Sequence, residues 1–308
     1  MAYRWINRHL KGEEGPVTEP DVPKIDGKLL RAFPDELPAD ELNTRIDEVF
    51  VPQPTNALPQ TADAHQAWRA RTMRELQRIV FRDVAERPMR RAQWSLDPRK
   101  EAFGNLPTEP GITIPWKYFP SSTRKPGRWL VVLDEAESLE SKPPWLKGIT
   151  GEDAVLLIAP RGSGPLKWPD PSPYYVQRSL PLMGRTVDSC RLTDVLMAVA
   201  ALPQGERRND SPWHITGRGA ASIIAAYAAL LEPKLSQVVV VAPPISHREG
   251  PIFLNVLRVL DVPEALGLLA PRPLTIHTDQ PNAFAATDAI FRVAGGTLKR
   301  IGDIANSE

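Results

Sequence analysis

Proline sets the tightest limit on how this chain can fold: 33 of its 308 residues are proline. A proline inside a helix removes one backbone hydrogen bond and clashes with the preceding turn, so windows free of it mark the candidate elements. Residues 1–15 are one such window, where Tyr3, Trp5, Ile6 and Leu10 supply one face of a short helix. An acidic stretch over 12–59 follows, and eight of the 33 prolines fall before residue 60. It reads as an extended arm with little structure of its own. Within 60–87, Met73, Leu76, Val80 and Val84 recur at spacings of three and four with Arg and Glu between them, which predicts an amphipathic helix.

From residue 103 the pattern changes to short apolar runs at 112–116, 129–133, 154–159, 213–216, 238–242 and 274–277. Leu130 to Leu133, Val155 to Ile158 and Val238 to Val241 are continuously apolar, as strands buried on both faces are. Helical windows at 189–202 and 220–231 lie between them. Strands alternating with helices predict an α/β fold, a mainly parallel sheet with helices on both faces, preceded by a helical and extended N-terminal region. The expected division is 1–59 (helix and proline-rich arm), 60–102 (amphipathic helix packing on the main domain) and 103–308 (the α/β domain).

Composition narrows the function. Lys plus Arg number 38 against 37 Asp plus Glu, a net charge of +1, which lacks the basic surplus of a nucleic-acid binder. No run of 18 apolar residues occurs, and Met1 to Leu10 carry arginines and Trp5 where a signal peptide needs an apolar stretch. The expectation is a soluble chain with no membrane partner and no readable address. The single cysteine, Cys190, excludes an internal disulfide. The spacing of His, Asp and Glu points to no metal and no cofactor.

The sharpest local feature is Trp213-His214-Ile215-Thr216-Gly217-Arg218-Gly219-Ala220-Ala221-Ser222, a strand, a tight turn and the start of an alanine-rich helix. Against the nucleophile elbow G-x-S-x-G, Gly217 matches the first glycine, Gly219 falls at the serine and Ala221 at the final small residue. Against the dinucleotide fingerprint G-x-G-x-x-G, Gly217, Gly219 and Ser222 match loosely. That alternative lacks its acidic residue, because the run Val238 to Val241 ends in Ala242-Pro243-Pro244.

This segment, with its Ala225-Ala226-Tyr227-Ala228-Ala229-Leu230-Leu231-Glu232-Pro233 helix, resembles the α/β-hydrolase superfamily. Leu269-Ala270-Pro271-Arg272-Pro273-Leu274 and Ala159-Pro160-Arg161-Gly162-Ser163-Gly164 are similar to the acetyl xylan esterase and prolyl-oligopeptidase-like branch in particular. The resemblance spans roughly 103–303. It implies a serine at the elbow, an acid after the penultimate strand and a histidine after the last. The serine position is Gly219, the acid position falls near Asp279, and no histidine occurs from Gly302 to Glu308 after a last strand expected at 297–301. Without nucleophile and base the usual acyl transfer has nothing to attack the carbonyl and nothing to take the proton.

Other residues are weak substitutes. Ser222 lies one helical turn past the elbow and is expected to bond a helix carbonyl. Ser163, between two glycines, is expected to be an exposed turn residue. His247, in the loop after 238–242, is the one histidine expected near a pocket. His214 and His277 read as satisfied core residues and Cys190 as packing. Pocket-facing Trp116, Trp168 or Tyr174 would favour a sugar ligand. Residues 2–10 resemble the final helix of a hydrolase domain in the same family, or are simply a helix with a Trp anchor. The expected function is a catalytically degenerate hydrolase-like domain that binds, or supports an active hydrolase domain or subunit, with homo-oligomerisation and a carbohydrate or ester ligand as further expectations. The alternatives are a carboxylester hydrolase with relocated or partner-supplied catalytic residues and a dinucleotide-binding domain.

Overall fold

The computed structural model describes residues 2–18, 21–46, 57–85, 94, 96–123, 126–203 and 212–302. They divide into two compact units, Met1–Val51 and Pro52–Glu308. In the first, the helix Ala2–Ile6 continues as one π-helical turn, Asn7–Lys11, closed by Gly12 at φ 70°. Asp26 caps a short 3-10 turn, Gly27–Leu30, and most of the remainder is irregular. No described residue of this unit is buried, Tyr3, Trp5, Ile6 and Leu10 included.

The second unit is built on one eight-stranded sheet. Its strands are β1 (Ala102–Glu109), β2 (Ile112–Phe119), β3 (Arg128–Val132), β4 (Ala154–Ile158), β5 (Trp213–Arg218), β6 (Leu235–Val241), β7 (Leu274–His277) and β8 (Leu298–Ile301). Their spatial order is β1-β2-β4-β3-β5-β6-β7-β8. The β1–β2 and β2–β4 pairings are antiparallel and the rest parallel. The apolar runs become central strands because each face has its own cover. Leu130, Val132, Leu156, Ile158, Val238 and Val240 point into one core, and Trp129, Val131, Val155, Leu157, Val239 and Val241 into the other. At about 25 cal/mol per Å² of apolar surface removed from water, this two-sided burial is the main force holding the sheet.

Six helices of the second unit matter here: α1 (Ala62–Glu75), α2 (Ser172–Leu182), α3 (Val187–Ala201), α4 (Ala220–Leu231), α5 (Val262–Gly267) and α6 (Ala285–Ala294). Thr61 caps α1 by accepting from the Ala64 amide. Its buried face is His65, Trp68 and Thr72, continued by Leu76 and Val80, with Met73 and Val84 only partly buried against the core. A pattern read on aliphatic residues alone therefore locates this face one step off. Helix α4 is apolar all round because every residue from Ala221 to Leu230 is buried.

Proline gaps miss three elements. Pro173 and Pro263 stand in the first turns of α2 and α5, where the absent N–H has no helical partner to lose. Pro181 sits in the last turn of α2, and Pro107 lies in β1, an edge strand whose pairing shifts register between Pro107 and Glu109. An ionic brace ties that edge to the interior. Asp194 of α3, fully buried, accepts from the backbone and side chain of Arg161 and from Thr108 Oγ1 (2.6 Å). Glu109 bridges Arg161 and Arg185, both at 2.8 Å.

Candidate functional site

Strand β5 runs into α4 through a turn whose central residue is Gly219, at φ 57° and ψ −136°. That conformation is strained for a residue with a side chain and free for glycine. The turn is held by the Gly219 amide donating to Val241 O (2.9 Å) and by Ser222 Oγ donating to Gly219 O (2.6 Å). Gly217 is required by close packing: a Cβ there would stand 2.8 Å from the Ala221 carbonyl. Gly217, Gly219 and Ala221 thus keep the shape of an elbow. Ser222 is fully buried and bonds a carbonyl as expected.

The space in front of the elbow belongs to a residue that the motif reading passed over. A Cβ on Gly219 would lie 2.9 Å from Asp134 Oδ2. Asp134 opens the loop after β3, and its Oδ1 accepts from the Glu135 amide (2.7 Å). Glu137 folds back, accepting from the Asp134 amide (2.8 Å) and from Trp145 Nε1 (2.6 Å). Burial pushes the carboxyls of Asp134 and Glu137 above their ordinary values. Glu135, more exposed, pairs with Arg191 at 2.7 Å. The only signal for this loop in the sequence is Asp134-Glu135-Ala136-Glu137 directly after an apolar run; nothing local says that it meets residue 219.

Neither substitute position, Ser163 nor His247, is open to solvent. Ser163 is not an exposed turn residue: it is 2% exposed, at the head of the 3-10 turn Gly164–Leu166, beside Gly162, whose missing Cβ makes room for the Trp168 ring. His247 is not open to a pocket either. Its Nε2 meets Tyr227 Oη at 2.7 Å, its Nδ1 meets Pro251 O at 2.8 Å, and its amide donates to Asp261. A ring that bonds a carbonyl through Nδ1 carries its proton there, so Nε2 accepts from the tyrosine. Burial lowers the His247 pKa and raises that of Tyr227. This is a clamp between α4 and the following loop.

Asp279 is exposed just beyond β7, and the expected histidine corner after Gly302 lies outside the described residues. Cys190 is buried in α3, as packing requires, and burial raises its thiol pKa. His277 is buried at the end of β7, whereas His214, read as core, is half-buried and meets Ser236 Oγ at 2.9 Å. Trp116 packs against Trp94 in a tilted pair, ring centroids 5.6 Å apart, while Tyr174 is exposed on α2. A pyrophosphate at the Gly219 turn would meet the Asp134 carboxyl, and the Gly219 amide is already bonded, which opposes the dinucleotide alternative. Among the described residues no group of three His, Cys, Asp or Glu could hold a metal, and no helix is long and apolar enough to cross a membrane.

The strand order, the crossovers and the turn at Gly219 define the α/β-hydrolase fold. No family model matches the sequence, and no curated protein resembles it closely enough to match. Solved structures do. A candidate acetyl xylan esterase from Bacteroides fragilis superposes with a TM-score of 0.55 at 12% identity, over 80% of this chain and 78% of that one. A glucuronoyl esterase from Sporotrichum thermophile superposes with a TM-score of 0.50 at 13% identity, over 79% and 78%.

Proposed function

We propose that this domain runs no serine-based acyl transfer at its elbow and works by binding, as the support of an active hydrolase domain or subunit. The observation that carries this reading is Gly219, a hydrogen where the fold places a nucleophile, with the Asp134 carboxyl set against it. Acyl transfer needs hydrogen-bond donors aimed at the charge that develops on the substrate oxygen. A carboxylate in that volume repels the same charge, so the corner opposes the chemistry twice. Substituting Gly219→Ser tests the reading. Hydrolysis of 4-nitrophenyl acetate or acetylated xylan should not rise above that of the parent chain. A gain of about a hundredfold, the scale of a working general base, would sink it.

A carboxylester hydrolase with relocated or partner-supplied groups is the second reading. Both superposed structures carry esterase names, which favours it, whereas the residues at the elbow favour the first. Parent-chain turnover that falls with Asp134→Asn would decide for the second. Docking on an active hydrolase, self-association and retention of an acetylated sugar in the old cleft belong to the first, and sedimentation with and without acetylated xylo-oligosaccharide separates them.

A further inference from the structure

We infer that Ser236 and His214 form a nucleophile–base pair at the N-terminal ends of β5 and β6, able to accept an acyl or phosphonyl group from a small activated ester. This site stands apart from the elbow. Gly219 lies five residues along the chain from His214, about 16 Å at the usual rise. A break in the sheet builds it. Trp213 pairs with Leu235 and Ile215 with Val238, so Ser236 and Gln237 together oppose His214. Such a bulge is rare between parallel strands, and bulges re-aim side chains beside active sites.

Ser236 Oγ lies 2.9 Å from His214 Nδ1 and 3.2 Å from Trp213 O. With the imidazole proton on Nε2, His214 Nδ1 and Trp213 O compete for the one hydroxyl proton, and the shorter contact is to the imidazole. That is the reach a nucleophile and its base require, with the base oriented by a third group. His214 packs on the Trp129 ring, centroids 4.8 Å apart. Asp153, fixed by the Gly127 amide (2.7 Å) and Trp129 Nε1 (3.0 Å), bears on His214 electrostatically. Burial lowers the His214 pKa, which keeps the ring in its basic form at neutral pH. Arg128, over the Trp213 ring at 5.2 Å on the opposite face of the sheet, also lowers the His214 pKa electrostatically. Ser236 and His214 are both half-buried, unlike Ser163 and Ser222, which are buried.

In the reaction Ser236 Oγ bonds to the acyl carbon as its proton passes to His214 Nδ1. The ester C–O bond then breaks, the leaving oxygen takes that proton, and water deprotonated by the same nitrogen releases the acid. A fluorophosphonate reports the first half alone: Oγ–P forms, P–F breaks, the proton goes to His214 and fluoride departs. With the full chain and a fluorophosphonate probe, intact mass should show one adduct, mapped by peptide sequencing to Ser236. Ser236→Ala should remove it, and His214→Gln should slow it at least about tenfold, with circular dichroism confirming the fold. The rate in the unaltered chain should climb as the imidazole deprotonates. No adduct on Ser236, an unchanged rate in His214→Gln, or a flat pH profile overturns the pair, and the pH profile decides alone if His214→Gln loses the fold. Gly219→Ser probes the elbow separately, so either inference can fail without the other.

Discussion

Replacing Gly219 by alanine isolates the elbow's physics from its chemistry. Alanine adds no reactive group, only a Cβ, at φ 57° and ψ −136°. Holding a side chain in such a conformation costs about 1–3 kcal/mol. The new Cβ also lands 2.9 Å from Asp134 Oδ2, so that carboxyl must shift and weaken the 2.7 Å bond its Oδ1 accepts from the Glu135 amide. Asp134 is only half-buried, water replaces part of that bond, and a further contribution of about 1 kcal/mol is reasonable. The sum is about 3 kcal/mol, equivalent to about 6–12 °C in Tm for a unit of this size. Urea unfolding followed by tryptophan fluorescence measures it. In an Asp134→Ala background the contact vanishes, and Gly219→Ala should cost only the backbone strain, about 2 kcal/mol. Should Gly219→Ala fall within about 0.5 kcal/mol of the parent, or cost the same with and without Asp134, the close approach of carboxyl and elbow is refuted.

Asp194→Ala strands Arg161 inside the protein and should cost about 3–5 kcal/mol in the same urea assay; a neutral result would mean that the brace from β1 to α3 carries no stability. Tyr227→Phe leaves His247 Nε2 without its donor, at about 1–3 kcal/mol. Because burial lowers the His247 pKa, the folded state resists its protonation, and stability should drop as pH falls through the ordinary imidazole value toward the lowered one. For Asp134 the sign is opposite: burial raises its pKa, the folded state holds the proton longer, and stability falls as pH rises from the ordinary to the raised value. Asp134→Asn should therefore gain on the parent near neutrality and gain nothing below the ordinary carboxyl range, which urea midpoints across pH will show.

Much of the fold was legible locally. Continuous apolar runs gave β3, β4 and β6 because strands covered on both faces leave no polar alternation. Helix α4 began at Ala220 and ended at Leu231, the expected ends, since a glycine turn precedes it and Glu232-Pro233 closes it. Helices α2 and α5 and strand β1 were not legible through proline, because proline in a first helical turn or on a sheet edge forfeits no bond, and α2 ends one residue after Pro181, whose lost bond costs only its last turn. The elbow's glycine was legible from spacing, but the residue facing it was not. Ser163 looked exposed between its glycines, yet Gly162 is there to admit the Trp168 ring.

Sequence alone settled the α/β class, since helix and strand periods are written in neighbouring residues, and it settled that residue 219 offers no nucleophile. Tertiary structure decided everything that depends on strand order. Strands β3 and β5 are neighbours although about 80 residues separate them, and only that adjacency sets Asp134 against Gly219. The same holds for His247 beneath α4 and for Ser236, brought onto His214 by an extra residue in β6. Local patterns encode the backbone's period and its cover; which side chains converge is fixed by crossovers and by one-residue slips in register, and no short window of sequence records those.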